Sequence, residues 1–111
     1  MIAAYPDRRF QLWEYRVSHG SLLIRSPKGP EVEGNVDLVF VGVDYLAVPH
    51  SLKGVALDRA SADDVATVNG AFGEVDPDRV FVLVSQGRRH PIVAAAYQVD
   101  ENDTDIFDSP F

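Results

Sequence analysis

Apolar and polar residues alternate along FQLWEYRVS, with Trp13, Tyr15 and Val17 on one side and Phe10, Leu12, Glu14 and Arg16 on the other. That period of two is the signature of a strand. A second apolar run, SLLIRS, starts directly after His19-Gly20, and glycine supplies the positive φ that a tight hairpin turn requires. Phe10 to Ser26 therefore reads as a β-hairpin. The lead before it, MIAAYPDRR, is short and polar in pattern, and PKGPEVEG after it gathers Pro, Gly and charge as a surface loop does.

NVDLVFVGVDYLAVP places Val39, Val41, Val43 and Tyr45 on one face and leaves Leu38, Phe40 and Leu46 for the other. Such a strand is buried on much of both sides, and Gly42 in its middle marks a bulge or sharp bend. SLKGVALDRA gives a further short strand. In SADDVATVNGAFG the spacing changes to three and four: Val65, Val68 and Phe72 share a helical face. Ser61 is placed to cap that helix, Asp63 and Asp64 fall in its positive first turn, and Gly70 ends it. VFVLVS, the turn QGRRHP and IVAAAYQVD make a second hairpin from Val80 to Val99, whose alanines imply close packing on a neighbour.

These elements predict an α+β or mainly β fold: an antiparallel sheet of five or six strands, strongly bent or barrel-like, with one short helix over a face or opening. With 111 residues, 46% of them hydrophobic, the chain suits one globular unit over residues 1–99 followed by an acidic segment over 100–111. The absence of cysteine fits a reducing cytoplasm and excludes thiolate metal sites and cysteine nucleophiles. The first residues lack the apolar core of a signal peptide, and no apolar run has the length of a membrane span. The bases are mostly arginine, and Ala, Val and Asp are plentiful, a bias that points to a bacterial source.

Charge narrows the class of partner. Seventeen acids against ten bases give a formal charge of −7, which opposes approach to a phosphate backbone and argues against nucleic acid. Five of those acids, and no base, lie in the segment DENDTDIFDSPF. It interleaves Asp103 and Asp105 with Ile106, Phe107 and Phe111, an acidic and apolar mixture suited to docking on a basic, apolar groove of a partner or on the protein's own surface.

Candidate chemistry adds less. Ser18-His19-Gly20-Ser21 lacks the second glycine and the following helix of a nucleophile elbow, so it reads as a polar turn. His19, His50 and His90 are too widely spaced for a helical metal site. Each stands beside Gly or Pro near an expected turn. Asp63-Asp64 would not face one another on a helix, which favours capping over acid–base work. Asn102-Asp103-Thr104 matches a glycosylation acceptor by chance in a chain with no secretion signal. No catalytic residue, metal or cofactor is assigned.

Three functions remain. The first is a non-catalytic interaction module that binds a basic protein, as an immunity-like protein would, through Asp103, Asp105, Ile106, Phe107 and Phe111. The second is a small-molecule binding barrel, with Trp13 among its lining aromatics and Arg25 or Arg88-Arg89-His90 orienting an anionic group. The third is a small hydrolase or isomerase that uses a histidine with Ser21 or an Asp. A strand edge or the apolar part of the acidic segment is compatible with a homodimer in each case.

Overall fold

The computed structural model describes residues 1–105 and 107–111; Ile106, one of the expected partner-binding residues, lies outside the described residues. It contains β1 (Ala3–Arg16), β2 (Ser21–Ser26), β3 (Asn35–Val41), β4 (Tyr45–Leu46) and β5 (Ser51–Arg59). The helix α1 (Ala62–Ala71) and a single 3₁₀ turn (Pro77–Arg79) come next, before β6 (Val80–Ser85), β7 (Arg88–Val93) and β8 (Ala96–Asn102). Among the described residues no helix is long and apolar enough to cross a membrane.

The fold is mainly β, built on one antiparallel sheet in the order β4-β7-β6-β5-β1-β2-β3-β8. The sheet has eight strands rather than five or six, and its ends do not join into a closed barrel. The count rose because two expected runs each divide: NVDLVFVGVDYLAVP gives β3 and β4 about Gly42, and the returning run of the second hairpin gives β7 and β8 about Ala94-Ala95. The polar lead belongs to β1, which tolerates Pro6 because the register with β5 shifts between Tyr5 and Arg9. SLKGVALDR forms the strand expected of it, nine residues long, and Tyr45–Leu46 adds a two-residue edge.

The second hairpin also differs from the expectation. The turn is confined to Gln86 and Gly87, both at positive φ, the two-residue geometry whose twist matches the flanking strands. Arg88, Arg89 and His90 therefore lie in β7, not in the turn. The hairpin then stops at Val93, and the chain passes through Ala94-Ala95 to pair with β3 instead. Small residues permit this corner: a Cβ on Gly42 would come within 2.8 Å of the Ala95 Cβ. Gly42 itself, at φ +64°, is the expected bend, and it ends β3 rather than curving it. Val43 consequently enters the core, whereas Val41 is exposed.

Curvature is shown by contacts between distant strands. β3 and β6 are four places apart, about 19 Å in a flat sheet, yet the Phe40 and Phe81 ring centroids are 6.2 Å apart. Phe81 also meets Tyr97 of β8 edge-on at 5.1 Å. The inside of this roll is filled by Phe10, Leu22, Ile24, Leu38, Phe40, Leu57, Phe81 and Leu83, all within 3% of full burial. The aromatics expected as a binding wall pack largely on one another.

A register shift between Leu12 and Glu14 breaks the alternation in β1. A bulge inverts the faces that follow it, so Leu12 packs on the core while Glu14 stands opposite outward-facing Leu23. On the outer side of the roll, α1 covers β6 and β7 through Val68 against Val80 and Val93.

Candidate functional site

The outward face of β2 and β3 carries Leu23, Arg25, Asn35 and Asp37, because Leu22, Ile24, Val36 and Leu38 point into the roll. Leu23, Arg25 and Asp37 are nevertheless at most 2% exposed. The acidic segment crosses this face as a strap. Arg25 is its central anchor. Its Nε and Nη2 donate to the two Asp37 carboxylate oxygens at 2.6 and 2.9 Å, and Nη1 donates to the Asp108 carbonyl at 2.9 Å. The Asp37 hydrogen bond holds the guanidinium in its charged form against the cost of burial.

The rest of the strap is tied from one end to the other. The Asn102 side chain donates to Asp37 at 3.0 Å and to Asp100 at 2.8 Å, which occupies the amide of the acceptor-like triplet. Asn35 donates to the Thr104 carbonyl at 2.9 Å, and the Lys28 ammonium lies 3.2 Å from Asp103. Ser109 and Arg16 hydrogen-bond the Glu14 carboxylate and hold its pKa below the usual range. Arg16 also sits over the Phe111 ring, 5.7 Å from its centroid.

The expected ligand-binding residues fall into two separate groups. Trp13 and Arg25 are neighbours, with the guanidinium 5.6 Å from the indole, but Arg25 is committed to Asp37 and the strap. Arg89 of β7 is paired with Asp64 on α1, Nη2 to Oδ2 at 2.8 Å, and that pairing, with the Ser61 cap, lowers the Asp64 pKa to about 2. Arg88 is exposed at the start of β7, while half-buried His90 has its pKa lowered by burial and then by Arg88. Ser18 to Gly20 form the β1–β2 turn, where the Gly20 amide donates to the Val17 carbonyl, and Ser21 is buried at the start of β2. Among the described residues no group of three His, Cys, Asp or Glu side chains could hold a metal ion.

Of the expected partner-binding residues, Asp103 and Phe107 are well exposed, with 85% of the Asp103 side chain and 88% of Phe107 open to solvent. Phe111 is half-buried, and Asp105 accepts a 2.9 Å bond from the Phe107 amide.

The sequence reading missed a groove at one end of the roll, about 830 Å³ in volume. Its walls are the loop from Lys28 to Gly34, Arg8 of β1 and the stretch Glu101 to Asp103. Four carboxylates line it, Glu31, Glu33, Glu101 and Asp103, against two bases. Both bases are engaged: Arg8 bonds Ser26 and the Gly34 carbonyl, and Lys28 bonds Asp103. The signal was present in PKGPEVEG, whose acids are now seen beside those of DENDT, but only pairing of β3 with β8 brings the two together. Comparison with protein-family models, with curated proteins and with solved structures gives no match.

Proposed function

We propose that the protein is a non-catalytic interaction module that binds a basic protein partner. The observation that carries this reading is the acidic groove, where Glu31, Glu33, Glu101 and Asp103 face solvent and the two bases present are already bonded. Clustered carboxylates of one sign attract a lysine- or arginine-rich surface and raise its rate of encounter. The adjoining strap extends the acidic face with Asp105 and Asp108, both exposed.

Affinity capture from lysate of the source organism, with the full chain and a Glu31→Gln/Glu33→Gln/Glu101→Gln variant as baits, tests the reading. The expected result is a basic protein retained by the native chain at low salt, released at high salt and not retained by the variant. Equal retention by both baits, or capture of acidic or neutral proteins alone, would overturn it.

A further inference from the structure

Phe107 is the most exposed large apolar side chain among the described residues, at 88%. A single bare apolar residue is ordinary on a protein surface. This one stands in a held turn. The Phe107 amide donates to the Asp105 carboxylate at 2.9 Å, and the Asp108 amide donates to the Asp105 carbonyl at 2.9 Å. The turn is pinned on both sides, before it by Lys28 on Asp103 and after it by Arg25 on the Asp108 carbonyl. Asp103, Asp105 and Asp108 are all exposed and flank Phe107 along the chain, so an apolar side chain is presented within an acidic segment.

We propose that this turn is the anchor of the interaction surface, and that its occupant is an apolar socket rimmed by lysine or arginine on the partner. The inference rests on the module reading above and adds the contact that would dominate its affinity. Three physical features support it. Interface hot spots are typically large side chains, aromatic ones among them, that fill a desolvated pocket surrounded by contacts that exclude water. A turn already held by hydrogen bonds has less conformational freedom to lose on binding than a free terminal segment would. The carboxylates select for a basic rim and against an acidic one.

The test pans a displayed random-peptide library against the intact chain and measures the enriched peptides against three proteins: native, Phe107→Ala and Glu31→Gln/Glu33→Gln. Phe107→Ala removes an exposed ring, so its thermal midpoint should match that of the native chain. The expected result is peptides that combine Lys or Arg with an apolar residue and bind Phe107→Ala about thirtyfold more weakly, the loss typical of a hot-spot truncation. Basic peptides indifferent to Phe107→Ala but weakened by the groove variant would overturn this inference and leave the module reading standing. Enriched peptides without basic character, or no enrichment above an empty support, would overturn both.

Discussion

The outer side of the rolled sheet is covered twice, and the two covers are built differently. Over β6 and β7 lies α1, an element with its own backbone hydrogen bonds, a capping box between Ser61 and Asp64, and an apolar contact of Val68 with Val80 and Val93. Over β1, β2 and β3 lies the strap, whose described residues beyond β8 join no strand and are held by Arg25, Asn35, Lys28 and Arg16. Each cover has one arginine–aspartate pair at its base, but the Arg25–Asp37 side chains are 1% and 2% exposed while Arg89 is 40% exposed over Asp64. The helix is held mainly by apolar burial, with its ion pair at the rim. The strap is held by polar groups, with its ion pair at the centre.

The largest effect should come from breaking the central pair. Arg25→Ala leaves the Asp37 carboxylate buried with Asn102 as its remaining side-chain donor, and an uncompensated buried charge costs about 3 to 5 kcal/mol. Urea unfolding should show that loss. A double variant that replaces both partners by apolar residues, Arg25→Met/Asp37→Leu, should recover most of it, while the strap loses its anchor. If Arg25→Ala costs less than about 1 kcal/mol, the range of an exposed ion pair, the centre of the strap is open to water.

The helical cover should respond less, and through packing. Val68 is fully buried, and Val68→Ala removes two methyl groups, worth about 2 kcal/mol with the residual cavity. Arg89→Ala should cost about 1 kcal/mol, since its head is in part screened by solvent. Finding Arg89→Ala more damaging than Val68→Ala in urea unfolding would reverse the comparison.

Acid separates the covers more finely. The Asp64 pKa falls from 3.8 to about 2 in the folded chain, chiefly through the Arg89 hydrogen bond. A depressed carboxyl pKa means that the folded state releases its proton more readily than the unfolded one. The contribution is therefore complete above about pH 4 and lost as the pH falls toward 2. Arg89→Ala should flatten the loss of stability across that window. Glu14 shifts in the same direction through Ser109 and Arg16, so the strap also loosens toward acid. Ser109→Ala should reduce only that part.

The two covers also differ in how far they could be read from sequence. The helix was legible because its determinants are local: Ser61 and Asp64 are three residues apart, and Val65 and Val68 share one face. The β1–β2 hairpin was legible for the same reason. The site beneath the strap depends on partners far apart in the chain, Arg25 with Asp37 and then with Asp108, 83 residues away. Arg25 sits in an apolar run that by itself suggests a ligand contact as readily as a buried pair. The groove was hidden in the same way, since Glu31 and Glu33 lie in a loop and Glu101 in a segment that becomes the end of β8. The strand count failed where an apolar run is broken without an obvious turn signal, about Gly42 between β3 and β4 and about Ala94-Ala95 between β7 and β8.

The smallest expected effect is also the one that distinguishes the covers as moving parts. Phe111→Ala removes the ring beneath the Arg16 guanidinium, a contact worth about 0.5 to 1 kcal/mol at an exposed site. Global stability should hardly change if the strap opens without unfolding the sheet. Local opening is governed by the contacts of the opening unit alone, so amide exchange in residues 103–111 should accelerate about two- to fivefold, the same energy expressed as an equilibrium. Exchange in α1 should stay as it was. Trp13, the one tryptophan, lies beside Arg25, which anchors the strap, and its fluorescence should shift with the exchange rates. Equal acceleration in α1 and in the strap would mean that both covers open as one unit with the sheet. Acceleration confined to the strap would make the segment that presents Phe107 an independently opening layer, whose anchoring on Arg25 sets how often the turn is in place to meet a partner.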